Sequence, residues 1–110
     1  SVFSAEEQDA VRNQLSRVLR AVVSQRLVHR VTGTGRAPAV EVMFVTPAIQ
    51  NLIRTGDLTQ IYSMMQIGRE DGMQTLDLAL SNLFKQGLIT EDMMMAKAKD
   101  PELIRNLAKS

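Results

Sequence analysis

Arginine is the residue type in this chain best placed to do chemistry. Arg12, Arg17, Arg20, Arg26, Arg30 and Arg36 fall in one stretch that contains no Asp or Glu. Guanidinium groups in such a run suit phosphates, nucleic acid or an acidic protein partner. The plain alternative is a set of solvated arginines spread over several faces. The single histidine, His29, is the second candidate. Antiparallel pairing around the turn at 32–36 puts Glu41 opposite Leu27 and diagonal to His29. A carboxylate so placed can orient an imidazole for acid–base work. No nucleophile or third partner stands nearby, so a structural hydrogen bond or a sheet-edge charge is the simpler reading.

Other chemistries lack their residues. A P-loop needs Gly-x-x-x-x-Gly-Lys-Ser/Thr, because backbone N–H groups must ring the phosphates and a lysine must reach them. The chain has no such run. Gly33 and Gly35 read as a turn, since no helix follows them. One His and no Cys cannot assemble a usual zinc site, so no metal site is expected. No serine sits in a nucleophile elbow. The carboxylates Glu6, Glu7, Asp9, Glu91 and Asp92 lie at helix starts, where the helix dipole accounts for them. These 110 residues are expected to catalyse nothing alone.

Composition sets the frame. A chain of 110 residues makes one domain with one core. Hydrophobic residues at 45% argue against wholesale disorder. A net charge of +1 predicts no partner by itself. Three Phe, one Tyr and no Trp leave few rings for stacking on single strands. No apolar run is long enough to span a membrane. No leader is visible at the polar, acidic start, so a cytoplasmic location is the expectation.

The elements that must position these groups read as follows. Ser4 with Glu7 has the form of a capping box. Val11, Leu15, Val18 and Val22, with Leu19 alongside, then form the stripe of a helix of about five turns, ending near Ser24. Gln25–Val31 and Ala37–Val45 read as strands around the turn at 32–36. The second strand is apolar on both faces: Val40, Val42 and Phe44 on one, Ala39, Met43 and Val45 with Glu41 on the other. That pattern belongs to a sheet interior, and it suggests that more sheet is missing. Five short helices follow. Thr46 caps the first and Pro47 opens it. At about 100° per residue, Ala48, Ile49, Leu52 and Ile53 share the inner arc and Gln50, Asn51 and Arg54 the outer one. Gly56 stops it. Asp57, Thr75, Thr90 and Asp100 open the other four, and Gly68 and Gly87 close two of them. The run Met93-Met94-Met95 suits a bundle core or an adaptable binding surface. The fold class is α+β, mostly α: one long helix and a two-stranded hairpin, then a bundle of about five short helices.

Several segments together carry a resemblance. They are Gln8-x-x-Val11-Arg12-x-Gln14-Leu15-Ser16, Val23-Ser24-Gln25-Arg26-Leu27, Glu41-Val42-Met43, Thr46 through Arg54, Gly72-Met73-Gln74-Thr75-Leu76-Asp77 and Gly87-Leu88-Ile89-Thr90-Glu91. In this order and spacing, from about Phe3 to Leu107, the chain resembles the C-terminal third of the PilT family of twitching-motility ATPases, the type IV pilus retraction motors. The resemblance implies a longer parent whose Walker and His-box motifs precede Ser1. It implies that 1–45 is the end of a RecA-like ATPase core and 46–110 a helical C-terminal domain. The parent would be a P-loop ATPase using ATP and Mg. It would form a cytoplasmic hexameric ring at the inner-membrane face of the pilus machine and act on an inner-membrane platform protein, without a membrane span of its own and without nucleic acid.

In such motors the helix matching Ala48–Arg54 carries a signature of the form Ala-Ile-Arg-Asn-Leu-Ile-Arg-Glu, needed for retraction rather than for folding or hydrolysis. Ala48, Ile49, Asn51, Leu52, Ile53 and Arg54 match it. Gln50 and Thr55 depart from it, and two opposite charges are lost. Arg26 and Arg30 are candidates for a phosphate or subunit contact. Three alternatives stay open: a secretion or pilus-assembly ATPase paralogue of the same superfamily, a small arginine-rich helical module that binds nucleic acid, and an interaction domain of unknown partner.

Overall fold

The structure, a computed structural model, describes residues 4–18 and 20–110. Phe3, Leu19 and the side chain of Arg17, invoked above, lie outside the described residues. The elements run α1 (Ala5–Val18), β1 (Ala21–His29), β2 (Arg36–Phe44), α2 (Pro47–Thr55), α3 (Leu58–Ile67), α4 (Leu76–Lys85), α5 (Glu91–Lys97) and α6 (Pro101–Lys109). The fold is therefore α+β and mostly α, with a two-stranded sheet and five short helices after it.

The helix starts follow the capping chemistry. Each of Thr46, Asp57, Thr75, Thr90 and Asp100 accepts a bond at its side-chain oxygen from the backbone N–H three residues on, at 3.1–3.3 Å. Ser4 does the same for Glu7 at 3.2 Å. These bonds satisfy N–H groups that have no partner inside the helix. Gly56 closes α2 with φ +75°, and its N–H bonds back into the helix. Gly68 ends α3, its N–H bonding back to the Met64 carbonyl; a 3-10 turn over Gly68–Asp71 follows, and Gly72 at φ +96° ends that turn.

The end of the first helix and the strand register both differ from expectation. The first helix ends at Val18, not near Ser24, and β1 starts at Ala21. Val22 and Val23 are β-branched and favour a strand, and pairing with β2 takes them. The strand register also differs. Arg30 N–H donates to the Gly35 carbonyl, and Val45 N–H to the Arg20 carbonyl. An antiparallel ladder between those bonds sets Glu41 across from Ser24, so the His29–Glu41 pair does not form.

The packing separates into two compact units, one formed by Ser1–Val22 with Met43–Met73, the other by Val23–Val42 with Gln74–Ser110. In the first, Ile49, Met65 and Met73 are buried, with Met43, Val45, Ile53, Ile61 and Met64 against them. Here α1 packs on α2. The stripe expected to face the core is largely on the surface: Leu15 is 41% exposed and Val18 61%. Ser16 is buried instead.

In the second unit, Leu76, Ala79, Leu80 and Leu83 of α4 pack with Val28, Ala37, Ala39, Ile89, Met94 and Ile104. Met94 therefore fills this core, while Met93 and Met95 flank it. β2 is bonded on both edges, by a strand on one and by a single isolated bridge on the other. It pairs with β1 on one edge and, through Val42, with Gln74 on the other. Both backbone groups of Gln74 bond Val42, and its side-chain amide donates to the Val40 carbonyl at 2.6 Å.

Candidate functional site

The polar face of α2 is the best-built candidate site in the first unit. Thr46 and Pro47 fix where the helix begins, and Gly56 fixes where it ends. The burial of Ile49, with Leu52 and Ile53 half-buried, sets its rotation. Ala48, expected inside, is exposed. Asn51 and Arg54 are exposed together, and the Arg54 guanidinium donates to Asn51 Oδ1. That bond holds the arginine against the helix.

The face opens on a cavity of about 350 Å³ between α1 and α2, lined by Asn13, Ser16, Pro47, Gln50, Asn51 and Arg54. Ser16 donates from Oγ to the Asn13 carbonyl at 2.8 Å. The lining holds one guanidinium, three carboxamides and a hydroxyl, and no carboxylate. Such a surface donates hydrogen bonds to carbonyl or carboxylate acceptors. Asn13 and Ser16 escaped sequence reasoning. The apolar stripe of α1 pointed to the opposite side of the helix, and only the packing against α2 brings these two residues to the site.

Arg12 closes one end of this unit. It pairs with Asp9. A Cβ placed on Gly56 would lie 3.4 Å from Arg12 Nε. The guanidinium thus lies by the C-terminal end of α2, where the helix dipole favours positive charge.

The other arginines do not gather. Arg12 and Arg20 belong to the first unit, and Arg26, Arg30 and Arg36 to the second. All but Arg12 are exposed among those with described side chains. Strand alternation sends Arg26 and Arg36 to opposite faces of the sheet.

Glu41 serves the fold. Its carboxylate accepts the Leu76 N–H at 3.2 Å and lies 3.6 Å from Lys99 Nζ. Asp77 is fully buried and accepts the N–H groups of Lys99 and Asp100 at 2.8 and 3.0 Å. These bonds pin the turn before α6 to the start of α4. Sequence reasoning placed Asp77 in a family segment without a role. Among the described residues no group of three or more His, Asp or Glu could hold a metal ion, and no helix is long and apolar enough to cross a membrane.

No family model matches the chain. Individual relatives do. It is 48% identical over 101 residues to the type IV pilus retraction ATPase PilT of Pseudomonas aeruginosa, which covers 92% of this chain and 29% of that protein. It is 37% identical over 107 residues to the type IV pilus ATPase PilU of the same organism, covering 97% of this chain and 28% of the relative. The crystal structure of the pilus retraction motor PilT with bound ADP superposes with a TM-score of 0.74 at 39% identity, over 96% of this chain and 29% of that one. The chain thus spans less than a third of the relatives it matches, and over that span it belongs to the PilT family of type IV pilus ATPases.

Proposed function

We propose that this chain is the C-terminal portion of a hexameric, ATP-driven motor that retracts type IV pili, working in the cytoplasm at the inner-membrane face. In this reading 1–45 is the end of the RecA-like ATPase core and 46–110 the helical C-terminal domain. The observation that carries it is the exposed pair Asn51 and Arg54 on the helix that matches the retraction signature, beside a donor-rich cavity with no carboxylate. A motif needed for folding would turn its polar residues toward satisfied partners inside. Here they face out, as a coupling surface requires.

Nucleotide and Mg are not assigned to these residues. Gly33 and Gly35, at φ +78° and +74°, shape a hairpin turn that leads into β2 rather than into a helix. A phosphate cradle needs the helix start. The ATP of the motor would be held by residues outside this chain, and the exposed Arg26 and Arg30 stay candidates for a phosphate or subunit contact. The partner of the α2 face would be the inner-membrane platform protein or a neighbouring subunit.

The test is Asn51→Ala with Arg54→Ala in the full-length motor. Twitching motility should be lost while ATP hydrolysis and ring assembly persist. Unchanged motility would refute the role of this face. A paralogue reading has its own support: Gln50 and Thr55 depart from the retraction signature, and PilU matches over 97% of the chain. Restoring the signature with Gln50→Arg and Thr55→Glu separates the two. A retraction motor should retract as well or better with them, whereas a paralogue with a different partner should lose its function.

A further inference from the structure

Of the arginines in the basic stretch whose side chains are described, Arg12 alone is not exposed. It stands on α1, which packs on α2 within the first unit. We propose that Arg12 is a positioning residue for the α2 face: its side chain holds the C-terminal end of α2 against α1, so that Asn51 and Arg54 keep a fixed place relative to α1. This rests on the reading of that face as the coupling surface of the motor.

The contact is close, and it needs a glycine. A Cβ on Gly56 would lie 3.4 Å from Arg12 Nε, 3.5 Å from its Cδ and 3.6 Å from its Cζ. The bare Cα leaves room for the guanidinium at the end of α2, where the helix dipole favours a cation. The helix end is already closed without the arginine. Gly56 N–H bonds the Ile53 carbonyl at 3.2 Å, and Asp57 N–H bonds the Leu52 carbonyl at 3.0 Å. Arg12 is therefore not the cap of α2.

Nor does its placement serve stability alone. Arg12 Nε is buried and has no hydrogen-bond partner among the described residues. A buried donor without an acceptor opposes folding. Asp9, one turn back on α1, pairs with the same guanidinium. The side chain is thus held by α1 on one side and lies over Gly56 of α2 on the other. A locally unfavourable group kept in place marks a role beyond the fold.

A second attachment fixes the rotation. Arg12, Asn13 and Ser16 share one face of α1. Ser16 is buried and lines the cavity beside Pro47, Gln50 and Asn51, toward the start of α2. Later residues of α1 thus meet earlier residues of α2, and the two helices run antiparallel. Attachment at both ends of α2 removes the swing that one contact leaves free. All of these groups lie within one compact unit, at the packing of two helices rather than on a free surface. In the motor reading α1 belongs to the end of the ATPase core and α2 opens the helical domain. A shift of α1 then carries the Asn51–Arg54 face with it.

The experiment uses the full-length motor with Arg12→Ala, Arg12→Lys, Gly56→Asn and the double variant R12A/G56N. Asparagine accepts a positive φ, so Gly56→Asn keeps the helix stop while its side chain displaces the arginine. Arg12→Ala and Gly56→Asn should each slow pilus retraction at least about tenfold, because a recognition group loosened by about 1 Å loses its productive geometry. ATP hydrolysis and ring assembly should be unchanged, a separation that a residue serving only the fold would not give. Both changes remove one contact, so the double variant should be no slower than either single one. Arg12→Lys keeps the stem and the charge at the helix end, and it should restore most of the retraction. The N51A/R54A variant is measured beside them. If it stops retraction and Arg12→Ala does not, the positioning role fails while the reading of the α2 face stands. If N51A/R54A leaves retraction intact, that reading fails and the positioning role falls with it. Loss of hydrolysis in both Arg12→Ala and Gly56→Asn, or losses that multiply in the double variant, would also overturn the proposal.

Discussion

The two units are held together by different physics. The first builds its core from methionine and isoleucine: Ile49, Met65 and Met73 are buried, with Met43 and Met64 beside them. Methionine fills irregular space without fixing one arrangement. The second packs leucine, alanine and valine and adds directional bonds from carboxylates. Buried Asp77 holds two backbone N–H groups, and Glu41 holds a third. The family segments divide along the same line. Gly72 through Asp77 is turned inward at Met73, Thr75, Leu76 and Asp77. Thr46 through Arg54 shows Asn51 and Arg54 to solvent, with Thr46 and Gln50 half-buried. One segment serves the fold and the other leaves a polar pair exposed, although both carry the resemblance equally.

That contrast can be broken most severely from inside. Leu80 is fully buried in the second core, and Leu80→Ala should cost about 4 kcal/mol in urea unfolding. A loss under about 1 kcal/mol would mean that this core is not the tightly packed one. Asp77→Ala comes next, at about 2–3 kcal/mol, because two N–H groups lose their acceptor in a partly buried turn. Hydrogen exchange should then quicken at Lys99 and Asp100 while the first unit keeps its protection. Equal quickening in both units would erase the distinction between them.

Smaller effects sharpen the first unit. Gly56→Ala should cost roughly 1–2 kcal/mol, since φ +75° strains any residue with a Cβ and the new atom meets Arg12. Thermal unfolding measures it, and an unchanged midpoint would show that α2 can end another way. Asn51→Ala should change stability by less than about 0.5 kcal/mol, as an exposed group away from any cap. A large destabilisation there would move the α2 segment from recognition to folding.

Much of the architecture was legible locally. Six caps lie at the expected residues, because Ser, Thr and Asp satisfy helix N–H groups within three residues of themselves. The polar arc of Asn51 and Arg54 follows from helical periodicity, and it is exposed. The end of α1 was not legible. Val22 fits a helical stripe and a strand equally well, and only a partner strand chooses between them. Nor was the role of Glu41, since a register change of a few residues gives a carboxylate a new neighbour.

The amino-acid order alone determined the helix starts, the stop of α2, the hairpin turn, the family and the outward polar pair of α2, since each depends on contacts a few residues apart or on the identity of a run. Tertiary structure decided which face of α1 is covered, which strand residues oppose one another, and that Asn13, Ser16 and Asp77 matter. Those outcomes depend on side chains brought together from distant positions, where the energy of a contact is set by its neighbours in space rather than by its neighbours along the chain.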